Sequence, residues 1–262
     1  MVPMRIGVLG PLRVVADGRE TDVGGARLRV LLTRLALGVG DVVPPTALTE
    51  ALWPYEGPAK PDSALHSLVS RLRRALPEPT VVRSESTGYR LALPADSVDA
   101  VRFERLAAQG RRALREGHRA DAADLLRAAL GLWRGPPLTG TAHLPFAGAA
   151  AVRLERVRLG VREDLFAAEL GSPEADAGAR VMELEKLVAD HPLSERLREL
   201  LIAALALDGR QAEALTVHED YRRLLAEKLG TGPGPRLREL HRRLLRGAPE
   251  PDGPPVRRPH GP

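Results

Sequence analysis

The sequence predicts a mixed α+β domain followed by an all-α domain. Three observations carry this expectation. Alternating apolar residues mark strands at the start and again at 81–93, a helical period replaces them in between, and helical stripes run from Asp99 onward. In residues 5–23, Ile6 and Val8, then Leu12 and Val14, alternate with other residues, and Gly10-Pro11 interrupts them. Asp17-Gly18 signals a tight hairpin turn, because both positions tolerate positive φ. After Gly24-Gly25, Leu28, Leu31, Leu32 and Leu35 form the stripe of a first helix, stopped by Gly38 and Gly40. A second short helix fits Thr46–Trp53, with Leu48, Ala51 and Leu52 inward and Pro45 near its first turn. A Pro-rich loop, 54–61, leads into a third helix reaching Leu76, with Leu65, Leu68, Val69, Leu72 and Leu76 on one face. Val81–Leu93 reads as a β-hairpin turning near Ser86–Gly88.

Pro94–Val98 is a short polar joint, and beyond it seven helices can be drawn. Their stripes begin with Phe103/Leu106/Ala107/Gly110/Ala113 and Ala122/Leu125/Leu126/Ala129/Leu130/Trp133. Leu154/Val157/Val161/Leu165, Val181/Leu184/Leu187/Val188 and Leu197/Leu200/Leu201/Ala204 follow. Leu215/His218/Tyr221/Leu225 and Leu237/Leu240/Leu244 close the set. A weak echo links Gly117-His-Arg-Ala-Asp-Ala122 to Gly209-Arg-Gln-Ala-Glu-Ala214, which suits helical hairpins of the tetratricopeptide kind. The domains expected are therefore 1–94, 99–246, and a tail, 247–262, whose six Pro and three Gly predict disorder.

Composition narrows the function classes. The 262 residues hold 39 Lys+Arg against 34 Asp+Glu, seven His and no Cys. Without cysteine there are no disulfides, thiolate zinc sites, iron–sulfur clusters or thiol nucleophiles. No apolar run approaches the ~18 residues a membrane helix needs, and the start has no apolar leader core, so a cytoplasmic protein is expected. Net charge +5 permits a polyanionic partner without requiring one. Its placement says more, because Lys60 to Leu76 carry four basic residues and one acidic, Asp62.

Strands, three helices and a terminal hairpin, in that order, make a winged helix-turn-helix, with the third helix as the natural recognition element. Opposite its apolar stripe, or on the flanks, lie His66, Ser67, Ser70, Arg71, Arg73 and Arg74. Arginine can grip guanine O6 and N7 bidentately or pair with phosphate, and serine reaches a phosphate or a base edge at short range. A second reading stays open here, in which Arg71, Arg73 and Arg74 only complement the negative end of their own helix. In the hairpin, Thr87-Gly88-Tyr89-Arg90-Leu91 puts Gly at the turn, with Tyr89 on the body and Arg83 and Arg90 outward. Such a wing can touch the adjacent backbone or minor groove.

Val8-Leu-Gly-Pro-Leu-Arg-Val14, Leu48-x-x-x-Leu-Trp53, Ser70-Arg-Leu-Arg-Arg-Ala-Leu76 and Gly88-Tyr89 resemble the Streptomyces antibiotic regulatory proteins, the SARP family. The resemblance continues through Asp99…Arg102-Phe-Glu-Arg-Leu106, Ala129-Leu-x-Leu-Trp-Arg-Gly-Pro136 and His191-Pro-Leu-x-Glu-Arg-Leu197. Gly209–Leu215 and Leu229-Gly-x-x-Pro-Gly-Pro235 complete the match to the family's second module, the bacterial transcriptional activator domain. It covers roughly residues 4–246. It implies a transcription activator of an antibiotic gene cluster that binds direct repeats near the −35 region, two protomers side by side, and recruits RNA polymerase holoenzyme. Carried onto this chain, base contacts fall to Ser67, Ser70 and Arg71, with His66 and Arg74 beside them. Lys60 meets phosphate, and the loop of Pro54, Tyr55, Glu56 and Gly57 faces polymerase. Side-by-side binding implies half-sites about one helical turn apart, ~10–11 bp. Two departures stand out. Glu85 takes a place where the family's wing commonly carries a basic residue, so that either Arg83 substitutes on the same strand face or the minor-groove contact is lost, and Pro44 replaces the polar cap of the second helix.

Other classes fare worse. No phosphate loop G-x-x-x-x-G-K-[ST], no H-E-x-x-H and no G-x-S-x-G elbow occurs, so no catalytic residue, metal ligand or cofactor is expected. His218 lies on an apolar stripe beside Tyr221 and reads as a satisfied core or interface residue. A protein-interaction scaffold, or a repressor with the same DNA-binding domain, is the remaining alternative.

Overall fold

The computed structural model describes residues 4–171 and 176–246. It forms two compact units that part after Ala168. The tail expected to be disordered lies outside the described residues.

The first unit opens with an antiparallel meander of β1 (Arg5–Gly7), β2 (Arg13–Ala16) and β3 (Arg19–Thr21), in register Ile6↔Val14 and Val15↔Glu20. Asp17 and Gly18 turn the hairpin with φ of 48° and 76°, the two positive values that a type I′ turn demands. Helix α1 (Ala26–Ala36) buries Leu28, Leu31, Leu32 and Leu35, as its period predicts. Helix α2 (Pro45–Leu52) begins one residue earlier than expected. Pro45 is tolerated there because the first helical N–H has no intrahelical acceptor, and Pro44 supplies no side-chain cap. Helix α3 (Pro61–Ala75) buries Leu65, Leu68, Val69 and Leu72. A second sheet has the order β4 (Val42–Val43), β6 (Gly88–Leu91), β5 (Val82–Glu85). The sequence reading had no β4, because two residues between turns give no period to detect. Its backbone closes on the hairpin so tightly that a Cβ on Gly88 would lie 2.2 Å from the Val43 carbonyl oxygen.

The same unit continues into helices α4 (Asp99–Arg115), α5 (Arg119–Leu130) and most of α6 (Pro145–Leu170). One buried cluster runs from Met4 and Ile6 through Leu32, Leu72 and Leu91 to Phe103, Leu126 and Val161. The connection between its halves is polar as well as apolar. Asp99 accepts the Val8 N–H at 2.7 Å and the Leu9 N–H at 3.2 Å, and Arg134 donates to the same carboxylate at 3.1 Å. Arg134 also donates to the Pro11 carbonyl at 2.8 Å. Residues 134–139 return the pairing through backbone bonds from Arg134 to Leu9, Leu138 to Val8 and Thr139 to Gly10.

That pairing corrects the reading of Trp133, expected on the α5 stripe. The helix ends at Leu130, and Trp133 lies in the returning segment, edge-on to Phe103 with ring centroids 5.2 Å apart. The Arg158 guanidinium sits 4.3 Å from its ring centroid. Tertiary hydrogen bonding overrides a helical period that the side chains alone would have extended.

In the second unit, α7 (Ala177–Asp190), α8 (Glu195–Leu207), α9 (Gln211–Leu229) and α10 (Pro235–Arg246) bury the stripes expected of them, except that Ala214 rather than Leu215 faces inward on α9. Tyr221 donates to the Leu193 carbonyl at 3.2 Å, and Glu195 accepts the Gly234 N–H at 2.9 Å, fixing the turn into α10. His218 is buried but not satisfied. Its ring stacks on His241 at 3.9 Å, and its Nε2 has no hydrogen-bond partner among the described residues.

Two outcomes follow from these contacts. Asp99→Ala would strand two backbone N–H groups and Arg134, lowering stability by about 2–3 kcal/mol. Asp99→Asn, which keeps an acceptor, would lose less, and equal urea midpoints for Asp99→Ala and the parent would refute the assignment. For His218, burial first and His241 next hold the pKa below its usual 6.5, with Arg222 adding and Glu219 opposing. The unfolded chain then binds a proton that the folded one resists. The contribution is present above about pH 6.5 and is lost as pH falls below it. Unfolding of the second unit should therefore become easier from about pH 7 to 5, and His218→Leu should flatten that slope.

Candidate nucleic-acid interface

Helix α3 has one buried and one open face, and the open face carries the residues of interest. His66, Ser67, Ser70, Arg71 and Arg74 are all exposed, and Lys60, immediately before the helix, is exposed too. Ser67 donates to the Ser63 carbonyl of the preceding turn at 3.0 Å, leaving its oxygen lone pairs outward. His66 meets the Tyr89 ring edge at 6.3 Å between centroids. Burial raises the Tyr89 phenol above its usual pKa, with the Arg73 guanidinium pulling the other way.

The three arginines of this helix do three different things. Arg73 is half-buried and donates to the Val82 carbonyl at 2.8 Å and to Ser84 Oγ at 3.0 Å, so it fastens β5 to α3. Arg74 lies back along the helix toward the Ser70 carbonyl at 3.5 Å, near the helix-end role left open by the sequence. Arg71 has no side-chain hydrogen bond or ion pair among the described residues. An unpaired guanidinium on an exposed helix face is free to meet an anion or a base edge.

The flanks complete the surface. Arg83 and Thr87 of the hairpin are exposed, whereas Arg90, expected to project freely, is half-buried and ion-paired with Glu85. In the loop before α3, Tyr55 is 89% exposed, Glu56 and Gly57 are exposed, and Pro54 is half-buried. A shallow groove of about 490 Å³ joins loop and helix, lined among others by Trp53, Glu56, Pro58, Ser67, Arg71 and Arg27. Arg27 was not singled out from the sequence. Its signal was present, since position 27 lies off the α1 leucine stripe, but nothing in one sequence says that the start of α1 borders α3. No cluster of three or more metal-binding side chains occurs among the described residues, and no described helix is long and apolar enough to cross a membrane.

Three helices followed by a hairpin, then helices alone, are consistent with the winged-helix class of regulators carrying a helical domain. Residues 98–245 match the model of the bacterial transcriptional activator domain. The chain belongs to the SARP family of transcriptional regulators. It is 43% identical over 248 residues to the regulatory protein AfsR of Streptomyces coelicolor, spanning 94% of this chain and 24% of that one. It is 34% identical to the regulatory protein DnrI of Streptomyces peucetius over 94% of this chain and 93% of that one. A solved structure of Mycobacterium tuberculosis EmbR in complex with a low-affinity phosphopeptide superposes with a TM-score of 0.87 at 34% identity, over 95% of this chain and 66% of that one. The chain thus spans about a quarter of the AfsR relatives and nearly all of DnrI.

The Arg73 contacts predict a coupling between helix and wing. Arg73→Ala is expected to cost about 1 kcal/mol of stability and to speed amide hydrogen exchange across β5 and β6. Unchanged exchange in the hairpin would show that it is held without Arg73.

Proposed function

We propose that this chain is a sequence-specific DNA-binding transcription activator of a secondary-metabolite gene cluster. The single observation that carries the reading is Arg71, exposed and without a partner beside Ser67 and Ser70 on the open face of α3. A helix of this width fits the major groove, where Arg71 would take a guanine edge and the serines would take base or phosphate oxygens. His66 and Arg74 flank that contact. Lys60, Arg83 and Thr87 would hold phosphates on either side, and Arg27 joins them from α1. Arg73 and Arg90 belong to this surface through the wing they shape rather than as free cations. Residues 1–94 are the DNA-binding domain on this reading and 99–246 the activator domain, with α7–α10 as tetratricopeptide-like hairpins.

The family points further. Two protomers would sit side by side on direct repeats near the −35 region, and the exposed loop of Pro54, Tyr55, Glu56 and Gly57 would meet RNA polymerase. Selection of bound duplexes from a random pool at about 150 mM salt, where bare phosphate attraction is weakened, tests the reading. A repeated motif at a spacing of ~10–11 bp supports paired reading of sequence. Binding without an enriched motif would overturn it. On the selected duplex, Arg71→Ala should cost about 1–3 kcal/mol and relax preference at one base position. Lys60→Ala should instead weaken all duplexes alike and flatten the salt dependence by about one phosphate contact.

A further inference from the structure

The outer face of the hairpin sheet carries three charges whose arrangement has a consequence for binding. In the β5–β6 register, Val82 opposes Leu91 and Ser84 opposes Tyr89, and three of these four side chains are buried against the body. The alternate pairs, Arg83 with Arg90 and Glu85 with Gly88, point the other way. Val42 of β4 flanks Arg90 on that same face. Two arginines directly across from each other would repel. Glu85 resolves the conflict by ion-pairing with Arg90 through Nη2, and the Arg90 Nε is left buried with no partner. Arg83 keeps no such bond and remains exposed.

We infer that Glu85 is a built-in competitor for phosphate that holds Arg90 in reserve, so that the wing meets DNA with one free arginine where it carries two. The inference rests on the proposed DNA binding and assigns a residue that sets its strength. The carboxylate gives Arg90 a charge-assisted bond of the kind a phosphate oxygen would give. For Arg90 to reach a phosphate, Glu85 must be released, and its negative charge then faces the polyanion. Both effects weaken attraction to any duplex, whatever its sequence. The base-reading face of α3 is untouched, because Glu85 lies on the outer side of the sheet while Arg73 and Tyr89 link the inner side to the helix.

The test is the salt dependence of binding to a random-sequence duplex and to the selected one, measured by fluorescence anisotropy with the full chain. Glu85→Gln keeps size and shape and should tighten both, with a salt slope steeper by about 0.9, one phosphate's worth. In an Arg90→Ala background the same change should give a smaller gain, because only the carboxylate's own repulsion is removed and no reserved cation is freed. Arg90→Ala alone should weaken binding less than Arg83→Ala does, a comparison that does not rely on altering Glu85. An unchanged slope in Glu85→Gln, an equal gain in the Arg90→Ala background, or a larger loss from Arg90→Ala than from Arg83→Ala would each overturn the inference. Parent protein with no preference for the selected duplex would count against sequence reading instead, and the Glu85 increment on random DNA would still decide the point about the wing.

Discussion

The carboxylate of Asp99 is the constraint on which the first unit depends. It lies at the first position of α4, yet its acceptor atoms are used by backbone N–H groups about 90 residues earlier and by Arg134, 35 residues later. A half-buried carboxylate would be costly alone and is stabilised when several donors surround it. Two of the donors lie in the segment between β1 and β2, and the third, Arg134, follows α5. Once Val8 and Leu9 are held, residues 134–139 add their own backbone bonds, and the buried cluster closes over Val98, Phe103 and Leu138. The strands and three helices of residues 5–91 and the first helices of the matched activator domain consequently share one core.

This continuity explains why α3 is positioned so firmly. Its inner stripe packs into the same cluster as α1 and the hairpin strands, and Arg73 adds a polar tie from the helix to β5. Many arginines of the protein pair with nearby carboxylates, such as Arg112 with Glu116 and Arg222 with Glu219. Pairs of that kind contribute little stability, but they remove cations from the surface field. Arg71, Arg83 and Lys60 are among the exposed cations that keep no such partner within the described residues.

Much of this was legible in the sequence, for physical reasons that differ by element. Leucine spacing located α1 and α3, since burial of one helix face needs that period, and Asp17-Gly18 located a turn that few other dipeptides can make. The exposed set on α3 followed from the same wheel. Long-range polar contacts were not legible. Nothing local in Asp99 announces Val8, nothing in Arg73 announces Val82, and Trp133 fits a helical period that the backbone abandons. Arg90 shows the same limit, because strand alternation gave its face correctly and could not say that Glu85 would occupy its guanidinium. His218 was read correctly as buried, but its stacking on His241 depends on how α9 meets α10.

A surface on which ion pairs occupy many of the cations has a particular relation to nucleic acid. Each phosphate contact adds to affinity for every sequence alike, whereas only base-edge contacts separate one sequence from another. A chain with 39 basic residues could have presented a broad cationic plate. Ion pairs instead occupy many of its arginines, such as Arg105 with Asp96 and Arg153 with Glu104, which in the proposed complex would limit how tightly random DNA is held. In the proposed complex, discrimination then rests on α3, whose orientation is fixed by the shared core, while the wing contributes a restrained electrostatic grip. In that complex, packing of α3 into the shared core and ion pairing of many other arginines would work in the same direction, because the first sharpens base contacts and the second keeps the sequence-independent background low.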